Sequence, residues 1–356
     1  MTAAGKTLEG GFVDLPSWTT PAYAKQDAFV ERPVVIGEPP FELPGLVTLP
    51  RGGKACAAAV LIHASSRHDG DETIGGVKVF KDLAWGLASA GVAVLRYEKR
   101  TKRYPDITEQ PGFTVRQGVI DDVISAVDVL AAQPEVDPAR ISLVGHGVGG
   151  MLAPRIAAEL DGKITALALL AANSRPVDVV TQGQLDYLTE LVARMPAGAG
   201  VGQTDHAGRQ VHTTSAQLVI LRRLLERMRA PDLRPDEVLL AGDMKIVGSY
   251  FLELRHYDAI AAAHRVALPI FVGHPENDYQ ITLTDYEGWK AGLARRPRTA
   301  FKLYRGLNHM FVATTGPSTP EQYLVPDHVA PHVIDELARL VVDPAAVIAS
   351  IGAEAA

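Results

Sequence analysis

The sequence predicts an α/β protein with a mostly parallel, doubly wound sheet, and three observations carry that reading. Apolar runs of a strand's length, at residues 57–62, 92–97 and 164–172, alternate with amphipathic stretches of a helix's length. Strands buried on both faces read as such continuous runs, and helices between them are what parallel neighbours require. The run Ile141-Ser142-Leu143-Val144 passes directly into Gly145-His146-Gly147-Val148-Gly149-Gly150 and then into the helical pattern of Met151-Leu152-Ala153. Strand, sharp turn and helix in direct succession need a backbone free to bend tightly, which glycine supplies. The alternation stops after residue 174 and resumes at Pro269-Ile270-Phe271-Val272-Gly273.

Each element has its own local signal. Residues 1–28 carry Pro16, Trp18 and Pro21 with little periodicity and read as an N-terminal arm. Residues 29–36 and 41–49, split by Gly37-Glu38-Pro39-Pro40, read as two antiparallel strands joined by a turn. The strand over 57–62 ends at His63, and a polar loop follows through Glu72. A helix over 79–90 stops at Gly91, and 92–97 is the next strand. Thr114 with Gln117 makes a capping box for a helix whose apolar face is Val119, Val123, Val127 and Leu130, until Pro134 ends it. Pro154 is expected to kink the helix after the glycine turn.

Residues 175–265 show helical patterns without strands, at 184–194 and 217–229, around a glycine-rich joint over 196–202. They are expected to form a helical cap over the sheet edge. The core is then 29–174 with 266–343, closing with a strand at 300–304, the loop Gly306-Leu307-Asn308-His309 and a helix over 333–341. The Ala-rich stretch 344–356 is expected to be a loose C-terminal tail.

Bulk properties narrow the class. A chain of 356 residues suits one large α/β domain with an insertion, or two domains. Apolar and charged fractions of 47% and 21% are ordinary for a soluble globular protein. A net charge of −6 argues against a nucleic-acid or anionic-membrane binder. The five basic residues between Arg96 and Arg103 read as a solvated turn. A single cysteine, Cys56, gives no internal disulfide, fits a reducing compartment and reads as core packing at a strand start. No apolar run reaches membrane-spanning length and Met1-Thr2-Ala3-Ala4-Gly5-Lys6 lacks the apolar region of a signal peptide, so the cytoplasm is the expected location. No cluster has metal-ligand spacing and no Gly-Lys-Ser/Thr phosphate loop is present, so no metal or cofactor is expected.

Several stretches together resemble one known family. They are Val60-Leu61-Ile62-His63, Asp71-Glu72-Thr73-Ile74, Phe80-Lys81-Asp82-Leu83-Ala84, Val94-Leu95-Arg96-Tyr97 with Lys99-Arg100-Thr101-Lys102, and Gln133-Pro134-Glu135-Val136-Asp137. Gly145-His146 with Gly149-Gly150, Asp278-Tyr279-Gln280 and Gly306-Leu307-Asn308-His309 complete the set. In this order they look like the α/β-hydrolase superfamily, in its bacterial esterase and dienelactone-hydrolase-like branch, over roughly residues 18–342. The resemblance implies a sheet of about eight strands with an antiparallel start and the chain order nucleophile, acid, histidine. It puts the nucleophile at position 147, the acid at Asp278 and the general base at His309. The oxyanion donors would be the backbone N–H of Val148 and one from the loop after His63, at Ala64 or Ser65.

Two positions depart from the family pattern. Position 147 is Gly147, which has no side chain to attack with, and the expected His-Gly-Ser-Gly loop is here His63-Ala64-Ser65-Ser66. Glu276 is a rival to Asp278, and Ser65 or Ser66 could stand in as a nucleophile or polar contact. His63 reads as a structural hydrogen-bonder. Three explanations compete: serine-free general-base chemistry on an ester, thioester, lactone-like or polyketide-type small molecule; an ordinary serine carboxylesterase inactivated by a Ser to Gly change; and a non-catalytic small-molecule binder. The altered 64–66 loop favours a natural change, and retention of Asp278 with His309 disfavours simple decay. The expected partner is a small-molecule substrate, with a homo-oligomer left open.

Overall fold

Eight strands make the central sheet of the computed structural model: β1 (Phe29–Ile36), β2 (Leu43–Pro50), β3 (Cys56–Ile62), β4 (Ala93–Tyr97), β5 (Val136–His146), β6 (Ala166–Leu170), β7 (Ile270–Pro275) and β8 (Thr299–Tyr304). Their spatial order is β1-β2-β4-β3-β5-β6-β7-β8. β1 pairs with β2, and β2 with β4, antiparallel; the other neighbours run parallel. The structure describes residues 17–52, 55–196, 199–204, 210–241 and 244–354. Residues 1–16 of the expected arm, Ala197 and Gly198 of the expected joint and residues 355–356 lie outside the described residues.

The period of two in a strand decides which face each side chain joins. Ala58, Val60 and Ile62 of β3 enter one core with Val123, Val127 and Leu130 of α2 (Asp121–Ala131) and Leu152 and Ile156 of α3 (Val148–Glu159). Ala57, Ala59 and Leu61 enter the other with Phe80, Leu83 and Leu87 of α1 (Val79–Ser89) and Leu337 near the C-terminus. Helices cover both faces of the inner strands, so β3 and β6 are apolar at nearly every position, while the edge strands β1 and β8 alternate or are half-buried. The helix α3 runs through Pro154 as one unit. Cys56 packs against the first core, and its thiol bonds to the Glu135 carbonyl.

Residues 177–265 lie outside the central sheet but are not purely helical. Alongside α4 (Val177–Ala193), α5 (Ser215–Arg229), α6 (Gly248–Arg255) and α7 (Ala259–Arg265) stand two hairpins, Val201–Thr204 with Gln210–Thr213 and Val238–Ala241 with Met244–Val247. Four-residue strands are too short to show an alternation above neighbouring helical patterns, which is why the sequence reads as helices alone. The block has its own small core, with Leu185, Val192, Leu218, Leu225 and Leu239 at its centre. Among the described residues no helix is long and apolar enough to cross a membrane.

Two further expectations need correction. After α8 (Leu283–Leu293) and α9 (Pro331–Val342), the expected loose tail is a helix, α10 (Pro344–Glu354), with Val347 and Ile348 buried against the sheet's second core. Asp343 Oδ1 accepts the Ala346 N–H, so an N-cap carboxylate and a proline in the first turn start it. The basic turn is not solvated either. Arg96 is 2% exposed and ion-paired with Glu31 and Asp71, Arg100 is buried on Asp122, and Lys99 is buried too.

Candidate active site

The chain bends from β5 into α3 at Gly147, whose φ of +53° and ψ of −120° strain any residue that carries a Cβ. Its N–H donates to the Leu170 carbonyl at 2.9 Å, which ties the bend to β6. Gly149 lets the helix start against β3, because a Cβ there would lie 2.2 Å from the Ile62 carbonyl oxygen. At Gly147 a Cβ would meet the Ala64 Cβ at 3.2 Å and His309 Nε2 at 3.9 Å.

Asp278 and His309 come from the loops after β7 and β8, and the structure brings them together. His309 Nδ1 lies 2.5 Å from Asp278 Oδ2, both groups being buried. The other carboxylate oxygen, Oδ1, accepts the N–H groups of Gln280 at 2.7 Å and Ile281 at 2.9 Å. A carboxylate so held keeps Nδ1 as the donor and leaves Nε2 with a free lone pair. Asn308 Oδ1 accepts the N–H groups of Met310 and Val312, fixing the loop that presents the imidazole. Glu276, the rival carboxylate, instead accepts the Gly306 N–H at 3.1 Å and braces the same loop.

Side chains hold the loop after β3 at the peptide units of Ala64 and Ser65. Glu72 Oε1 accepts the Ala64 N–H at 2.8 Å, so Ala64 is not the free donor that the sequence left open. Lys99 Nζ donates to the Ala64 carbonyl at 2.6 Å, and His68 Nε2 bonds to the Ser65 carbonyl. The Ser65 N–H has no partner among the described residues. Val148 begins α3, where the N–H is an orphan of the first helical turn. His63 is buried with Nε2 on the Asp69 carbonyl, as a structural hydrogen-bonder should be. Ser66 has a φ of 76°.

These parts surround a cavity of about 100 Å³. Ala64, Ser65, Gly147, Val148 and His309 line it together with Val177, Val180, Thr181 and Gln184 of α4 and with Asn173, Gln280 and Ile281. Ser66 is not among the lining residues. The arrangement holds a base with a free lone pair and two unpaired N–H groups around one small space.

No protein-family model matches the sequence. Esterase EstD of Thermotoga maritima is 34% identical to it over 322 residues, which span 90% of this chain and 70% of that protein. This chain belongs to the α/β-hydrolase esterases. Solved esterases share the fold at low identity. Est1E from Butyrivibrio proteoclasticus matches with a TM-score of 0.54 at 15% identity, over 89% of this chain and 99% of that one. The Pyrobaculum calidifontis esterase matches with a TM-score of 0.54 at 15% identity, over 89% and 85% of the two chains.

The esterase fold also carries a buried polar network that sequence reasoning passed over. Glu72 and His146 are buried, with His146 Nδ1 2.9 Å from Glu72 Oε2 and Nε2 3.0 Å from the His309 carbonyl oxygen. Both ring nitrogens face acceptors, so both must donate and His146 is an imidazolium. Burial alone would raise the Glu72 carboxyl, but the adjacent His146 charge and its hydrogen bond hold it down to about 2. Burial opposes the His146 charge, and Glu72 overcomes it and raises the imidazole above its ordinary value. The pair joins the loop after β3, the Gly147 bend and the His309 loop. The signal was the tetrapeptide Asp71-Glu72-Thr73-Ile74 and the histidine beside Gly147, which read as a resemblance and not as contacts.

Proposed function

We propose that this chain hydrolyses small esters, thioesters or lactones by general-base attack of water, without a covalent acyl intermediate. His309 Nε2 takes the proton of a water as that water adds to the acyl carbon. The Ser65 and Val148 N–H groups receive the negative carbonyl oxygen. Collapse expels the alcohol, which leaves with the proton held by His309, and Asp278 keeps the ring in the required tautomer throughout. The observation that carries this reading is the pairing of Gly147 with Ala64. The Ala64 methyl stands 3.2 Å from where a side chain at 147 would begin, so the two departures from the family pattern adjoin each other across the cavity. An ordinary serine esterase altered at position 147 alone would have no matching change at position 64.

The cavity of about 100 Å³ is small beside the ~300–1,000 Å³ of sites for drug-sized ligands. It supports a short acyl group with a water, one water occupying about 30 Å³ of liquid. Val177, Val180 and Ile281 suit the apolar end of such a group. Hydrolysis of p-nitrophenyl acetate tests the proposal. His309→Ala should lower kcat by ~10²–10⁴-fold, the usual worth of general-base help, and Asp278→Asn should remove part of the same factor. Activity indifferent to His309, or a fluorophosphonate adduct on Ser65 or Ser66, would rule the water mechanism out.

A further inference from the structure

We propose that Lys99 is a positioning residue for the oxyanion site, holding the Ala64 carbonyl so that the N–H of the same peptide unit, on Ser65, faces the cavity. A trans peptide is planar, and its C=O and N–H point in opposite directions. Lys99 Nζ grips the Ala64 oxygen at 2.6 Å from inside the protein, on the far side of that unit from the open N–H. The unit cannot turn without breaking this bond. Its neighbours are also held: Glu72 takes the Ala64 N–H, and His68 takes the Ser65 carbonyl. The turn bearing Lys99 is tied to the same loop, because the Lys99 N–H donates to the His68 carbonyl at 3.1 Å.

A buried ammonium is costly unless something compensates it, and a methionine would fill the same space without that cost. The compensation here is the carbonyl bond together with the nearby Glu72 and Asp122 carboxylates. Charge on the carbonyl side also polarises the amide and makes its N–H a stronger donor. This inference rests on the general-base reading for its effect on rate, but not for the orientation of the peptide.

Burial brings the Lys99 amine down to about 8, against Glu72 and Asp122, which raise it. Of the other groups facing it, burial holds His63 at about 3 and His68 at about 4, and Asp122 is raised to about 6. Glu72, held down to about 2, remains ionised throughout. Burial opposes the His146 charge, but Glu72 raises it above its ordinary value, so His146 also titrates in the same experiment.

The experiment follows the Ser65 amide of the whole chain by ¹H–¹⁵N NMR with serine-selective labelling. In the unaltered protein that resonance should titrate with a midpoint near 8. Lys99→Met should abolish the titration and shift the resonance, and a surviving step would belong to His146. The same variant should lose ~10–100-fold in kcat on p-nitrophenyl acetate with KM nearly unchanged, since removing one oxyanion donor outright costs ~10²–10³-fold. A Ser65 amide that shows no step at any pH up to the ~10.4 of an ordinary lysine overturns the proposal without any variant having to fold. So does a Lys99→Met protein whose Ser65 resonance stays in place, or one whose loss lies wholly in KM. If His309→Ala leaves activity intact, the general-base reading fails, while the Ser65 titration still decides whether Lys99 holds the peptide.

Discussion

Placing a serine at position 147 should create a nucleophilic esterase, but only if position 64 yields. A Cβ at 147 would stand 3.2 Å from the Ala64 Cβ, inside the ~3.5–4.0 Å optimum for carbon pairs. It would stand 3.9 Å from His309 Nε2, so a hydroxyl one bond further out can come within the ~2.6–3.2 Å of a hydrogen bond to the imidazole. A non-glycine residue at φ +53° costs ~1–3 kcal/mol of backbone strain, which the surrounding bonds must hold. Ala64→Gly removes the steric conflict and leaves the strain. Loss of the nucleophile from a serine triad costs on the order of 10⁶ in kcat, and a base acting on water recovers ~10²–10⁴. The double variant Gly147→Ser with Ala64→Gly should therefore gain ~10²–10⁴-fold over the parent, about 3–5 kcal/mol of barrier. Gly147→Ser alone should gain less and should melt lower than the double variant. Initial rates on p-nitrophenyl acetate and labelling by a fluorophosphonate at position 147 are the readouts. A folded double variant that neither accelerates hydrolysis nor takes the label would mean that His309 does not face position 147. Equal rates for the single and double variants would mean that the Ala64 contact is immaterial.

Two further outcomes concern the buried network. Glu72→Gln leaves the His146 imidazolium without its counter-charge, and urea denaturation should show a loss of about 3–5 kcal/mol, as when one member of a buried ion pair is removed; an unchanged midpoint would contradict the pairing. Acid should weaken the fold well before the ordinary carboxylate range. His63 and His68 titrate near 6.5 when unfolded but at about 3 and about 4 in the fold, burial being the main cause. The unfolded chain thus binds more protons below pH 6.5, so stability is complete above that pH and falls as pH drops toward 4 and then 3. Each tenfold difference in proton affinity is worth ~1.4 kcal/mol. His146, whose pKa is raised, stabilises fully below pH 6.5 and does not oppose the trend, whereas Asp122, raised by burial to about 6, gains stability as pH falls below that and offsets part of the loss. Urea midpoints that stay flat from pH 7 to pH 4.5 would refute this.

Where a single residue's neighbours in the chain determine its place, the sequence was legible. The glycines around Gly147 announce the bend, and the runs at 57–62, 92–97 and 164–172 announce buried parallel strands. Asp278 and His309 could be named because each follows a strand in a known order. What stayed hidden depends on partners far along the chain. Lys99 reads as one charge in a basic turn until the fold sets it on Ala64, and Arg96 reads as solvated until Glu31 and Asp71 close around it. The helix Pro344–Glu354 was legible in principle, through Asp343 and Pro344, but its alanines suggested a loose end. Glu72 gave the least local warning, since a carboxylate in a polar loop is ordinary until a histidine 74 residues away shares its proton.

The brace made by Glu72 and His146 has a consequence for how the molecule breathes. It ties the loop after β3, the bend after β5 and the loop after β8 by bonds that meet at two side chains. None of the three can open by itself, because each would strand a buried charge. The amides around the cavity should therefore exchange with solvent together, and slowly, as one cooperative unit nearly as resistant as the sheet beneath it. The wall facing them, built from α4, is held to the body by neutral hydrogen bonds, from Gln184 Nε2 to the Gln280 carbonyl and from the Tyr187 hydroxyl to the Ser318 carbonyl, and its Val180 and Gln184 touch the cavity from a block with a separate core. Access to the cavity thus depends on the local stability of that block, and substitutions in its small core should alter the rate of substrate entry while leaving the chemical step unchanged.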